Sequence, residues 1–316
     1  MRGKYTGIKM KYPFTPGWEG SGTVEAVGPG MLNQFLLGKR VSFMKQMELG
    51  TYKIGGAMAD YCVTDNKAII PIGDDFSFEQ ASSFFVNPLT AIAMVERCKE
   101  LGSKATIVTA ACSQIGRMIL PLLIMNGITP ICTVRKEDQA ELLRAALGER
   151  YGKYVINTSK PTYKQDMGAI CMKLRPQTCL ECISGDTTGE ILKFIGFGST
   201  LILYGLLSDK PAGGINTIDF IGKNQTIESF LLSIYLAKKT QMEYLELVLK
   251  AEALYKTVLK TQVNAEYGLD KIHDAIEFYM NNQTAGKITL KPSLTPTGTK
   301  PVEGVRVDSL VAKAKM

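Results

Sequence analysis

The stretch from Lys104 to Lys136, KATIVTAACSQIGRMILPLLIMNGITPICTVRK, leaves few folds open to this chain. A short apolar run, Ala105 to Thr109, leads into a turn of small side chains, Ala110 to Gly116. An apolar helical segment then reaches Asn126-Gly127, and a second apolar run covers Thr129 to Val134. Strand, tight turn, helix and strand within about 30 residues make a βαβ unit of the dinucleotide-binding kind. Small residues are needed where backbone approaches a pyrophosphate whose charge rests on a helix N-terminus. Of the usual glycines only Gly116 stands here, with Ala111, Ser113 and Gln114 in the neighbouring places, so on these residues alone a βαβ unit without a nucleotide stays open. The second run ends in Val134-Arg135-Lys136, about 20 residues past the turn, where an acid would hold the ribose of NAD and a base accommodates a 2′-phosphate. If a nucleotide binds, NADP(H) is favoured.

Beyond this unit the pattern keeps alternating. Expected strands are Thr106 to Thr109, Pro130 to Val134, Tyr154 to Asn157, Thr178 to Ile183, Thr200 to Tyr204 and Gln225 to Phe230, with helical segments between most of them. Apolar strands alternating with helices predict an α/β, doubly wound parallel sheet covered on both faces. One helical region is expected from Leu231 to Leu259, another from Asp270 to Asn282, and a strand from Gly286 to Lys291 that returns to the first domain. Residues 1–90 read differently, as short glycine-punctuated strands at spacings of roughly 10–15 residues, the signature of a small β-barrel or sandwich. Turns or strands are expected at Pro16 to Val24, Gly38 to Phe43 and Gly55 to Val63, before the chain turns helical from Phe78 and again from Asn87 to Arg97. The layout is thus a first domain over 1–90, a dinucleotide-binding domain over 91–262, a return over 263–292 and an extension over 293–316.

Composition excludes several classes. A net charge of +7, with Lys and Arg spread along the chain and not interleaved with aromatics, argues against nucleic-acid binding. No apolar run reaches the ~18 residues of a transmembrane helix, and no signal or clear transit peptide opens the chain. Seven cysteines scattered through apolar runs point to a reducing intracellular compartment, cytoplasm or mitochondrial matrix side. Cys179 and Cys182 have metal-like spacing, but three residues apart on a strand they face opposite sides. With one histidine, His273, on an expected surface helix, multi-histidine metal sites are excluded.

Several pieces fall in a familiar order: Pro16-Gly-Trp-Glu-Gly-Ser-Gly, Gly38-Lys-Arg-Val, Gly56-Ala-Met-Ala-Asp-Tyr, Asn87-Pro-Leu-Thr-Ala, the Ala110–Gly116 turn, Gly196-Phe-Gly, Tyr204-Gly and Gly286-Lys-Ile-Thr-Leu. From Tyr5 to Pro292 the chain resembles the medium-chain dehydrogenase/reductase superfamily, in its zinc-independent branch of quinone oxidoreductase-like proteins and 2-enoyl thioester reductases. The resemblance implies a Rossmann domain beside a GroES-like β-barrel substrate domain, with the substrate in a cleft between them. It implies hydride transfer from NADPH to a quinone or an α,β-unsaturated carbonyl or enoyl thioester. On the same footing the cofactor would be held by Asn87, Thr90, Ser113, Gln114, Ile115, Gly116, Arg135, Lys136, Tyr204 and Gly205. Trp18-Glu19 stands where zinc-dependent relatives carry a histidine before the glutamate, so no metal is expected.

Tyr5, just ahead of the Pro-Gly-x-Glu-Gly motif, resembles the proton donor of enoyl thioester reductases; a phenol can protonate the atom that hydride attack makes basic. Tyr12 is the other phenol in reach, and packing at a domain edge is the alternative role. Three departures from the family stand out. By the resemblance the first domain would be N-terminally incomplete, Gln114 is bulky for a phosphate turn, and the tail from Pro292 would be an addition. They keep open a second reading, a catalytically retired accessory subunit of a larger complex. A homodimer paired through the strand near Thr226 to Phe230 is the other expected assembly.

Overall fold

The computed structural model describes residues 15–45, 56–255, 257–282 and 286–294. The chain divides into two units at 86/87 and 260/261, the outer pieces forming one and 87–260 the other. The sequence pattern predicts these boundaries at 90/91 and 262/263.

The first unit contains β1 (Glu19–Thr23), a short helix α1 (Met31–Gln34), β2 (Arg40–Met44) and β3 (Ile69–Pro71). They form an antiparallel sheet ordered β1-β2-β3, with Glu19 opposite Met44 and Val41 opposite Pro71. Two of the glycine motifs meet beside it. A Cβ on Gly56 would lie 2.3 Å from the Pro16 carbonyl oxygen, and one on Gly17, whose φ is +107°, 2.7 Å from the Ala57 nitrogen. Gly56 N donates to Thr15 O at 2.7 Å and Met58 N to Pro16 O at 2.9 Å. The strand expected over Gly55–Val63 is therefore not formed by Gly56–Val63. The chain bends there and satisfies its backbone against 15–17, and the third strand comes later, at Ile69–Pro71. Ser77 and Gln80 bond reciprocally in a capping box that starts α2 (Phe78–Ala81).

Helix α3 (Val86–Glu100) leads into the second unit, an alternating series of strands and helices. These are β4 (Ala105–Val108), α4 (Gln114–Met125), β5 (Thr129–Val134), α5 (Glu137–Gly152, broken at Gly148), β6 (Val155–Asn157) and α6 (Tyr163–Leu174). There follow β7 (Thr178–Glu181), α7 (Asp186–Phe194), β8 (Thr200–Leu203), α8 (Thr217–Gly222), β9 (Thr226–Ser229), α9 (Leu232–Ala237) and α10 (Gln241–Tyr255). All six strands are parallel, in the order β6-β5-β4-β7-β8-β9. The six expected strands are all present, within two residues at each end. Every residue of β4 and β7 is buried, as a central parallel strand covered on both faces requires. Ile107, Ile131, Cys179 and Leu201 of the sheet pack with Met167 of α6 and Ile191 of α7 in one core. The helical region expected over Leu231–Leu259 holds two helices, because Thr240 and Glu243 form a capping box that starts α10 afresh.

The chain then returns to the first unit with β10 (Val263–Tyr267), α11 (Ile272–Asn281) and β11 (Lys287–Leu290). The two strands pair in parallel. Glu19 ties this return to the start of the unit: one oxygen accepts from Val86 N at 2.8 Å and the other pairs with Lys287 Nζ at 3.2 Å. Lys291 makes a second tie, to Glu79 of α2.

Candidate functional site

In the second unit the strand order reverses between β4 and β7: the chain first builds outward through β5 and β6, then crosses back to build β7, β8 and β9. Ligands of open α/β sheets bind outside the carboxyl ends of the strands at this point. The turn after β4 is built for it. Ala110 takes a left-handed φ of +47°, and Ala111 N donates to Thr133 O at 3.0 Å, so the turn lies alongside the end of β5. Ser113 caps α4, its Oγ accepting from Gly116 N at 3.2 Å. That leaves the N–H groups of Gln114 and Ile115 with no acceptor among the described residues, pointing out of a helix N-terminus whose dipole favours an anion. Gly116 cannot be anything larger: a Cβ there would sit 2.4 Å from the Ala111 carbonyl oxygen.

At the end of β5 the charges are sorted. Arg135 and Lys136 are exposed, and Ser159 Oγ holds the Arg135 carbonyl at 2.7 Å. The nearby acid, Glu137, is occupied by Asn157 Nδ2 at 2.8 Å, Arg144 at 2.8 Å and Lys160 at 3.1 Å. Those three partners, Asn157 foremost, hold its carboxyl down at about 2. The acid that opens α5 is thus satisfied by the protein itself, which leaves Arg135 and Lys136, followed by the exposed Asp138, at this strand end.

Across the switch point, β7 and β8 end in a buried polar group. Glu181, wholly buried, accepts from Ile183 N at 2.6 Å, from Ser184 N at 3.1 and 3.0 Å on its two oxygens, and from Thr188 Oγ1 at 3.1 Å. Cys182 Sγ lies 3.6 Å from Thr109 O. The Tyr204 hydroxyl is buried beside that thiol without a well-formed hydrogen bond to any described residue, and burial raises both groups. The loops after β7 and β8 are zipped together, with Leu207 N on Cys182 O, Ser208 N on Ile183 O and Gly213 N on Gly185 O.

Residues 1–74 match the family model of the alcohol dehydrogenase GroES-like domain. A structure from Mesorhizobium loti described as an NADPH:quinone reductase superposes with a TM-score of 0.79 at 28% identity, over 88% of this chain and 78% of that one. These similarities support the medium-chain dehydrogenase/reductase superfamily for this chain. Within that superfamily its similarities fall in the quinone reductase-like and enoyl reductase-like branch. The mitochondrial enoyl-acyl-carrier-protein reductase of Arabidopsis thaliana is 26% identical over 242 residues, which are 76% of this chain and 62% of that relative. The chain thus spans under two thirds of the plant protein's length. A mycobacterial protein solved with NADPH shares the fold, with a TM-score of 0.72 at 22% identity over 92% of this chain and 85% of that one.

Of the residues expected to form the site, Ser113, Gln114, Ile115 and Gly116 follow β4, Arg135 and Lys136 follow β5, and Tyr204 and Gly205 follow β8. All eight therefore share the carboxyl edge of one sheet. Asn87 and Thr90 stand in the first turns of α3. That helix runs to β4 through a short loop, and its far end, Cys98, accepts from Thr178 at the amino end of β7, so its start belongs to the carboxyl edge as well. Gln114 reaches away from the turn, its amide donating to Lys260 O at 3.5 Å. Tyr5 and Tyr12 lie outside the described residues. Cys179 is in the core and Cys182 is at the strand end, both as free thiols. Glu181 is the site residue that the sequence does not single out: it closes the apolar run Thr178-Cys-Leu-Glu, and the donors that hold it come from the loop beyond.

Proposed function

We propose that the chain is a zinc-independent, NADPH-dependent oxidoreductase acting on a quinone or an α,β-unsaturated carbonyl such as an enoyl thioester. One observation carries the reading: the two free N–H groups at the start of α4 stand at the switch point beside the exposed pair Arg135 and Lys136. Such a helix start suits a pyrophosphate, and such a basic pair suits the 2′-phosphate that only NADP(H) carries. The fit extends to Gly116, whose missing Cβ lets the turn close tightly enough for backbone to approach the ligand. When bound, the cofactor would supply the hydride. The chain's part is to orient it, keep water from the ring and deliver a proton to the acceptor.

Tyr5 is assigned as the proton donor on the family resemblance; Tyr5→Phe should lower kcat about 100-fold with little change in NADPH affinity. The cofactor reading is tested by titration of NADPH fluorescence. Arg135→Glu combined with Lys136→Glu should weaken NADPH at least about tenfold more than NADH, since only the former loses charge-assisted hydrogen bonds to a phosphate. Absence of binding at millimolar NADPH would sink the proposal. Turnover with a quinone and with an enoyl thioester, measured side by side, decides the substrate class.

A further inference from the structure

Glu181 is a net charge without a counter-charge. Its partners are two backbone N–H groups and the Thr188 hydroxyl, with the Thr109 hydroxyl 3.4 Å from Oε1. No lysine or arginine reaches ion-pair distance from it among the described residues. Each of these bonds is one that a carboxylate oxygen accepts, which is the pattern of the charged form. Dipoles solvate such a charge but do not cancel it, and in a buried setting it still favours a cation nearby.

Its position in the sheet says which part of a dinucleotide would feel it. A sheet of this strand order binds one mononucleotide over its first three strands and the other over its last three. The basic pair after β5 marks the first three, β4, β5 and β6, as the side of the 2′-phosphate and its adenosine. The nicotinamide half then falls over the ends of β7 and β8, where Glu181, Cys182 and Tyr204 stand. Hydride transfer converts the neutral reduced ring to a cation, the hydrogen and both electrons passing to the acceptor, which also takes up one proton.

We propose that Glu181 tunes the bound cofactor: its buried negative charge favours the oxidised, cationic nicotinamide over the reduced one and so makes bound NADPH a stronger hydride donor. This rests on the NADPH reading above. Glu181 also braces the loop that holds Ser184 at φ +66° and Gly185 at φ +63°. A purely bracing role would change the affinities for both cofactor forms together, whereas a charge effect separates them.

The test is the ratio of dissociation constants for NADP+ and NADPH, read by titration without any substrate. Glu181→Gln should weaken NADP+ relative to NADPH by about tenfold, the scale of one unit charge acting at moderate distance in a protein. Thr188→Val disturbs the same loop but leaves the charge, and should keep the ratio within about twofold of wild type. Glu181→Asn, neutral and shorter, carries the same expectation as Glu181→Gln and serves if the latter does not fold. Binding of both forms with an unchanged ratio in a neutral variant overturns this inference alone. No binding of either form to the wild-type protein overturns the cofactor reading and this inference with it.

Discussion

Gly116 and Gly127 bound the same helix, yet they are glycines for different reasons, and substitution separates them. At Gly116 the obstacle is backbone: an added Cβ meets the Ala111 carbonyl, which cannot move without opening the turn. At Gly127 there is open space, and the requirement is the left-handed φ of +71° that follows a helix end. Gly127→Ala should cost about 1 kcal/mol, while Gly116→Ala should cost about 2–3 kcal/mol and also abolish NADPH binding. Urea midpoints and a cofactor titration on the two variants check this; equal losses of stability would remove the steric account. Glu19 poses a similar contrast in the first unit. Its two oxygens serve Val86 N and Lys287 Nζ, so Glu19→Ala should cost about 1.5–3 kcal/mol, as loss of hydrogen bonds to a charged group does. Glu19→Gln keeps an acceptor for Val86 and should lie between it and the wild type in the same denaturation series.

Helix α5 and strand β6 are joined by Glu137, and the joint is pH-dependent. Its carboxyl is held at about 2, against 4.5 for the free group, by Asn157, then Arg144, then Lys160. A depressed folded value means that this contribution is whole above pH 4.5 and is lost as pH falls toward 2. The melting temperature of the wild type should therefore fall more steeply over that window than that of Glu137→Gln; parallel curves would contradict the sign. What could be read in advance from the sequence at this scale followed from burial. Strands covered on both faces leave unbroken apolar runs, so β4 to β9 were legible to within two residues. The short strands of the first unit were harder, since they alternate weakly and their glycines serve backbone contacts that no periodicity records. Thus Gly56 reads as a strand start although it exists to let Pro16 approach. The start of α10 was legible in principle, because Thr240-x-x-Glu243 is a capping box, but the apolar pattern on either side hid it. At the site, the turn and the basic pair carry a local signature. Glu181 does not, because its donors come from a loop whose path depends on two left-handed residues.

For the whole molecule, assembly follows from the outer edge of the sheet. Strand β9 ends the strand order, and among the described residues nothing pairs with its free side. Near it in sequence, Ile218 is 83% and Ile221 70% exposed on α8, and Met242 and Leu245 are exposed on α10. A homodimer paired through β9 is accordingly expected, and light scattering should give twice the 34.6 kDa of the chain; a monomer at micromolar concentration would rule it out. The two-piece construction of the first unit also sets a schedule for synthesis. Lys287 lies 268 residues after Glu19, so on the ribosome the carboxylate emerges roughly 15–50 s before its partner, at ordinary rates of chain growth. The second unit, uninterrupted in sequence, is complete while the first still lacks its last strands. A nascent chain stalled before β10 should then bury the amides of β4 and β7 from hydrogen exchange while those of β1 and β2 still exchange freely.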